Sequence, residues 1–270
     1  MSAISRRAVA RRLSPPERSY GALGVVGTVA ALELLTRGEV VASRHFPPPS
    51  ATFRTLGGLL DSAEFWGDVG STLQGWGAGL ALAFAIAVPL GVTIGSSAVL
   101  YRALRVPIEF LRPIPSVALI PLVILVYGSG FESKLFLVVF GASWPLLIQT
   151  IYGMQDADPL ALDTARAFGL GPVARFARVT LPGAAPYIAT GLRISSSVAL
   201  VLAVTAELVI GADGLGRSIS LAQESAAVEL MFALVVVTGI VGWLLSSAVA
   251  GAERRVLHWH TAHRRLEAAP

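Results

Sequence analysis

The sequence predicts an all-α membrane protein with about six transmembrane helices. Three observations carry this reading: an excess of apolar residues, apolar runs near the length of a bilayer, and an uneven distribution of arginine. Hydrophobic residues make up 54% of the 270 and charged residues only 14%, with a mean hydropathy of +0.69. That little polar surface cannot cover a soluble globule, so lipid must do the covering. The runs lie at about Tyr20 to Thr36, Thr72 to Ser97, Pro113 to Tyr127, Lys134 to Met154, Ala184 to Ile210 and Val228 to Gly251, against about 20 residues for a helix through the hydrocarbon. The third is short unless it begins near Val106.

Six spans put both termini on one side, and the charges say which. Arg6, Arg7, Arg11, Arg12 and Arg18 precede the first run, and Arg102, Arg105 and Arg112 lie between the second and third. Arg166, Arg175 and Arg178 lie between the fourth and fifth, and Arg254, Arg255, Arg264 and Arg265 follow the last. The other side holds only Arg37, Arg44, Arg54, Lys134 and Arg217. The positive-inside rule therefore places both termini and the 153–183 loop in the cytoplasm. The chain divides into a basic N-terminus (1–19), a membrane domain (20–251) and a basic tail (252–270). The net charge of +4 and pI near 9.9 are thus a topology signal. A nucleic-acid surface would need these arginines on one face with aromatics between them, and they are scattered over separate segments.

The first run could open a signal peptide, since Ser5-Arg6-Arg7 precedes it. Glu33 within the run, and the polar Arg37-Gly38-Glu39 ahead of the small residues Ala42-Ser43, favour an uncleaved anchor. After it, Pro47-Pro48-Pro49 hold an extended backbone. Phe53, Leu56, Leu59, Leu60 and Phe65 then recur at helical spacing with Asp61, Glu64 and Asp68 between them. This is an amphipathic helix at the outer interface, serving either as a gasket on the bundle or as a docking surface.

Arg112-Pro113-Ile114-Pro115-Ser116, followed by Pro121, removes several helical donors within about two turns. A helix so interrupted is kinked or unwound, and its freed carbonyls need protein or a water-filled cavity. Arg112, Pro113, Pro115 and Ser116 are therefore candidates for a translocation path. Pro89 and Pro145 read as ordinary kinks. The second run is dense in small residues, Gly75, Gly79, Gly91 and Gly95 among them, which permit close helix approach. Glu33, Arg193 and Glu207 lie near or inside runs and must face protein or water. Arg193 and Glu207 are about 21 Å apart along one helix and cannot pair. Arg193 can snorkel to the cytoplasmic side. For Glu207, a place on the path and a structural hydrogen bond to a neighbouring helix both remain open.

The loop between the fourth and fifth runs is longer than a turn needs, and such loops are usually functional. Asp158 can cap a short helix with Pro159 at its first position and Gly169 just past its end, and Gly171-Pro172 restarts a second that runs to Leu181-Pro182. Asp163-Thr164-Ala165-Arg166-Ala167-Phe168-Gly169, with Leu181-Pro182 twelve residues after the glycine, resembles the E-A-A-x-x-x-G loop of ATP-binding-cassette (ABC) importer permeases. Asp163 stands for the family's Glu and Thr164 for its first Ala.

From about Pro47 to Trp243 the chain is similar to the permease subgroup that imports nitrate, taurine and aliphatic sulfonates. The resemblance is carried by Pro48-Pro49-Ser50, Arg112 to Pro115, Ala118 to Leu122, Tyr127-Gly128 with Gly130, the loop itself, Pro186-Tyr187, Gly191-Leu192-Arg193, Ala206-Glu207 and Gly214-Leu215-Gly216. Permeases for the pyrimidine precursor of thiamine are similar in the same segments. The resemblance implies the type I ABC importer permease architecture in a bacterial inner membrane. It also implies a homodimer of permeases, two cytoplasmic ATPase subunits, an extracytoplasmic solute-binding protein, and alternating access. In that setting Asp163, Ala165, Arg166, Phe168, Gly169, Leu181 and Pro182 would couple the permease to the ATPase, with Asp163 and Arg166 as polar contacts and Ala165 and Phe168 as the packed face.

No Walker loop, H-E-x-x-H or G-x-S-x-G occurs, so ATP hydrolysis would belong to a separate subunit and the chain reads as no enzyme. No cofactor motif is present, and the absence of cysteine excludes thiolate metal sites and disulfides. His258, His260 and His263 read as part of a solvated, lipid-facing tail. A secondary transporter would usually show inverted repeats, and a membrane scaffold would leave the loop unexplained.

Overall fold

The computed structural model describes residues 17–38 and 45–257, and every regular element among them is helical. Arg6, Arg7, Arg11, Arg12, Glu39, Ala42, Ser43, Arg44, His258, His260, His263, Arg264 and Arg265 lie outside the described residues. Helix α1 spans Glu17–Arg37, and α2, Pro49–Leu59, starts on a proline after extended Pro48. The Glu33 carboxylate links them: it accepts from the Ser50 backbone N–H at 2.9 Å, the Ser50 hydroxyl at 2.7 Å and Arg37 Nε at 2.6 Å. A carboxylate at the open N-terminus of α2 meets unpaired N–H groups and the positive end of the helix dipole. Glu33 is thus a brace between two helices.

Leu56 and Leu59 of α2 pack beside Phe65, Leu215 and Leu234, and α2 lies on α11 (Val228–Val256) as a gasket. The amphipathic stretch is not one helix. Ser62 accepts from Phe65 N at 3.3 Å and caps a new helix, α3 (Ala63–Ser96), so the second span begins at Ala63 and not at Thr72.

Helix α3 forms the core with α6 (Phe131–Gln155) and α9 (Leu181–Ile210). Small residues set the spacing. A Cβ at Gly79 would lie 2.8 Å from Val138 Cβ, and one at Gly91 2.6 Å from Thr150 Cβ, so both positions are where α3 and α6 touch most closely. Ala83, Ala87, Ala142, Ala199 and Ala203 fill the shared interface.

The predicted third span is broken. Helix α4 (Ala98–Leu111) and a 3₁₀ turn at Ser116–Leu119 leading into α5 (Ile120–Tyr127) meet at a 77° bend. Pro113 and Pro115 fall in the gap, where their missing N–H groups end one helix before the next begins.

The second loop helix also differs from the expectation that it stops at Leu181-Pro182. Following α7 (Pro159–Ala167), α8 (Pro172–Arg175) passes through a π turn at Phe176–Thr180 and runs on into α9. The Leu181 N–H reaches back to Phe176 O, and this wider turn admits Pro182 without a break. After α9 the chain turns through Gly211 and Gly214 into α10, Leu215–Glu224. Among the described residues, α3, α6, Pro172–Ile210 and α11 are long and apolar enough to cross a membrane, and the bent α4–α5 pair would supply a fifth crossing. Helix α1, with 21 residues, reaches about 31 Å.

Candidate functional site

A cleft of about 630 Å³ lies between the α4–α5 break, α6 and α9. Its polar lining consists of Arg112, Ser116, Trp144, Gln149 and Ser197, and Pro115 borders it. Several features of the sequence hold it open. Pro145 offers no N–H to the Gly141 carbonyl four residues earlier, and both residues face the cleft, where water can satisfy the freed oxygen. Gly141 has no side chain because the space is taken by Leu202 and by Ser116 Oγ, 2.9 Å from where a Cβ would stand. Gly191 lets α9 approach until an added Cβ would sit 3.0 Å from Gln149 Cβ, and Ser195 Oγ donates to Ala142 O at 2.6 Å. The walls α6 and α9 are therefore pinned together along the cleft.

Of the path residues expected from the sequence, Arg112, Pro115 and Ser116 line this cleft, Pro113 lies in the break beside it, and Glu207 does not reach it. Arg112 is exposed and has no carboxylate within ion-pair distance among the described residues. Arg193 lies outside the cleft, half exposed, 3.5 Å from Glu253 on α11.

Glu207 sits in a buried polar cluster. Its carboxylate accepts from Lys134 Nζ at 3.1 Å, Thr72 Oγ1 at 2.9 Å and the Gly216 N–H at 3.0 Å. Lys134 spends its other donors on Ser71 O at 3.0 Å and Asp213 O at 2.8 Å. Thr72 also accepts from the Leu215 N–H at 3.0 Å. Four helices are joined here: α3, α6, α9 and α10. Gly214 and Gly216 leave room for the Glu207 side chain, and a Cβ at Gly75 would lie 2.7 Å from Lys134 Cε. In the sequence Lys134 counts only as one of the few outer charges. Its position in the first turn of an apolar helix, with Glu207 in another, is the signal that the two should pair, since each alone is costly in the membrane.

The loop lies at the opposite end, about 39 Å from Glu207 along α9. Asp158 caps α7, accepting from Leu160 N at 2.9 Å. The helix ends in a Schellman arrangement: Leu170 N bonds Ala165 O at 3.0 Å, Gly169 N bonds Arg166 O at 2.9 Å, and Gly169 has φ +75°. Asp163 and Arg166 pair on the surface at 2.6 Å. Ala165 is buried within the chain while Phe168 is 79% exposed, so the two do not share an outward face. The most exposed apolar side chains of the loop are Leu160, Phe168 and Val173, and of these only Phe168 was expected on the packed face. Leu181 and Pro182 lie past the π turn, at the foot of α9. Tyr187 donates its hydroxyl to Asp156, and a Cβ at Gly153 would lie 2.7 Å from Tyr187 Cβ, so the base of the loop is fixed.

Comparison with known proteins places these features in context. The family model described as "Binding-protein-dependent transport system inner membrane component" matches residues 56–258. The taurine transport system permease protein TauC of Escherichia coli is 29% identical over 252 residues, covering 90% of this chain and 89% of that protein. The putative aliphatic sulfonates transport permease protein SsuC of the same organism is 30% identical, covering 90% and 92%. The nitrate import permease protein NrtB of Leptolyngbya laminosa is 29% identical, covering 83% and 82%. Among solved structures, a chain of a bacterial ABC transporter involved in import of the polysaccharide alginate superposes with a TM-score of 0.63 at 16% identity, covering 89% of this chain and 97% of that one. A chain of the inward-facing MetNI methionine transporter gives 0.60 at 21%, covering 69% and 93%.

Proposed function

The chain belongs to the binding-protein-dependent transport system inner membrane component family, and from that premise we propose that it is the membrane subunit of an ATP-driven importer for a small oxyanion such as an alkanesulfonate, taurine or nitrate. Relatives named for taurine, aliphatic sulfonates and nitrate support the solute class. The partners are a second copy of the chain, two cytoplasmic ATPase subunits and an extracytoplasmic solute-binding protein. Both termini and the α7 loop face the cytoplasm, in keeping with the arginine distribution.

The observation that carries the coupling role is the exposure of Leu160, Phe168 and Val173 on a short capped segment between two membrane helices. Apolar side chains held out from a loop favour a protein partner. Docked in a groove of the ATPase, α7 moves with it, and the fixed base at Tyr187 and Asp156 passes that movement to α6 and α9. These helices wall the cleft, whose rim residues Val117 and Ile194 are exposed. A second copy covers that rim, and the pair alternates between inward-open and outward-open states. Asp163, Arg166 and Gly169 hold the shape of the docking segment, while Leu181 and Pro182 connect it to α9. Co-purification tests this reading. The intact chain should retain its ATPase, and Phe168→Ser with Leu160→Ser should lose it while remaining folded in the membrane; equal retention by both forms would contradict it.

A further inference from the structure

We infer that Arg112, Gln149 and Ser197 are the selectivity contacts of the cleft, and that they bind the anionic oxygens of the solute, its sulfonate or nitrate group. This rests on the importer reading and names the residues that serve it. The cleft lining contains no aspartate, glutamate or lysine, and its single formal charge is Arg112.

A guanidinium is donor-only, an amide NH₂ gives two donors, and a serine hydroxyl turns to donate. A sulfonate or nitrate presents acceptors alone, so each of its oxygens finds a donor and meets no carboxylate. A cation finds no counter-charge in the lining. Arg112 is free to serve because no carboxylate neutralises it among the described residues, whereas Arg193 is occupied by Glu253. Lys134 and Arg217, the cations near the far end of α6 and α9, are engaged with Glu207 and Asp213. One unpaired arginine with neutral donors attracts an anion without trapping it, which conduction requires. Gln149 owes its place to Gly191, and Ser197 lies two residues beyond the Ser195 pin.

The chain has no cysteine, so a single Val201→Cys in the cleft wall reports occupancy. The full chain, reconstituted in proteoliposomes, is treated with N-ethylmaleimide in the presence of ethanesulfonate or of neutral diethyl sulfone. Ethanesulfonate should slow labelling about threefold once it exceeds its dissociation constant about twofold, by mass action, and the sulfone should not. Adding Gln149→Glu, which changes charge and little else, should abolish protection. Arg112→Gln should do the same and Arg112→Lys should restore part of it, which separates charge from folding. Absence of protection in the Val201→Cys chain, equal protection by the sulfone, or protection that survives Gln149→Glu would each overturn the inference. ATP-driven sulfonate uptake is measured alongside: uptake without protection removes this inference alone, and protection without uptake removes the importer reading alone.

Discussion

Lys134 Nζ stands 3.1 Å from Glu207 Oε1 with both side chains sealed from solvent, 2% and 0% exposed, so a full ion pair lies inside the bundle between residues 73 positions apart. Breaking one side leaves a buried charge without its partner, at a cost of about 3 kcal/mol or more. Glu207→Ala should therefore lower the unfolding temperature of the detergent-solubilised chain sharply. Lys134→Met combined with Glu207→Leu should cost less than the two single changes added together. Strict additivity would mean that the pair does not act as a unit.

Glycines on α3 provide a matched comparison. Gly79 faces Val138, whereas a Cβ at Gly77 would have nothing within 4 Å. Gly77→Ala should be neutral or stabilising by up to about 1 kcal/mol through helix propensity. Gly79→Ala should destabilise by about 1–3 kcal/mol through overpacking. Thermal unfolding of the two variants checks the ordering, and equal effects would contradict the close α3–α6 contact.

Local signals were legible in the sequence and distant ones were not. The cap at Asp158, the proline after it and the end at Gly169 are set by residues within a few positions, and the structure has all three. The break at Arg112 to Pro115 follows from missing donors and needs no tertiary information. By contrast, the partner of Glu207 lies on another helix, and no periodicity reports it. The apolar run starts later than α3 because Glu64 and Asp68 occupy the first turns of the helix. The passage of α8 into α9 was missed because proline normally stops a helix and the π turn here removes the conflict. Ala165 and Phe168 could not be assigned to faces from spacing alone, since Phe168 already belongs to the turn.

Gly169 has φ +75° and no neighbour within 4 Å of an added Cβ, so a substitution there acts through backbone strain alone. Gly169→Val should leave the chain inserted in the membrane and assembled with its ATPase, yet lower solute transport per ATP hydrolysed. Transport at the unmodified rate would remove the coupling role of this turn.

Ser116 borders the cleft at the start of the 3₁₀ turn. In the otherwise cysteine-free chain, Ser116→Cys should react with a membrane-impermeant thiol reagent, and the rate should change with nucleotide state. Uniform protection in every state would rule out a water-accessible cleft that changes with the cycle.

The proposed importer draws its energy from ATP hydrolysis. The direct measurement is uptake of radiolabelled taurine or ethanesulfonate into proteoliposomes that contain this chain, its ATPase and its solute-binding protein. Uptake should require ATP and the binding protein and be indifferent to collapse of proton and sodium gradients. Uptake that proceeds without ATP and vanishes when those gradients are collapsed would contradict ATP-driven import.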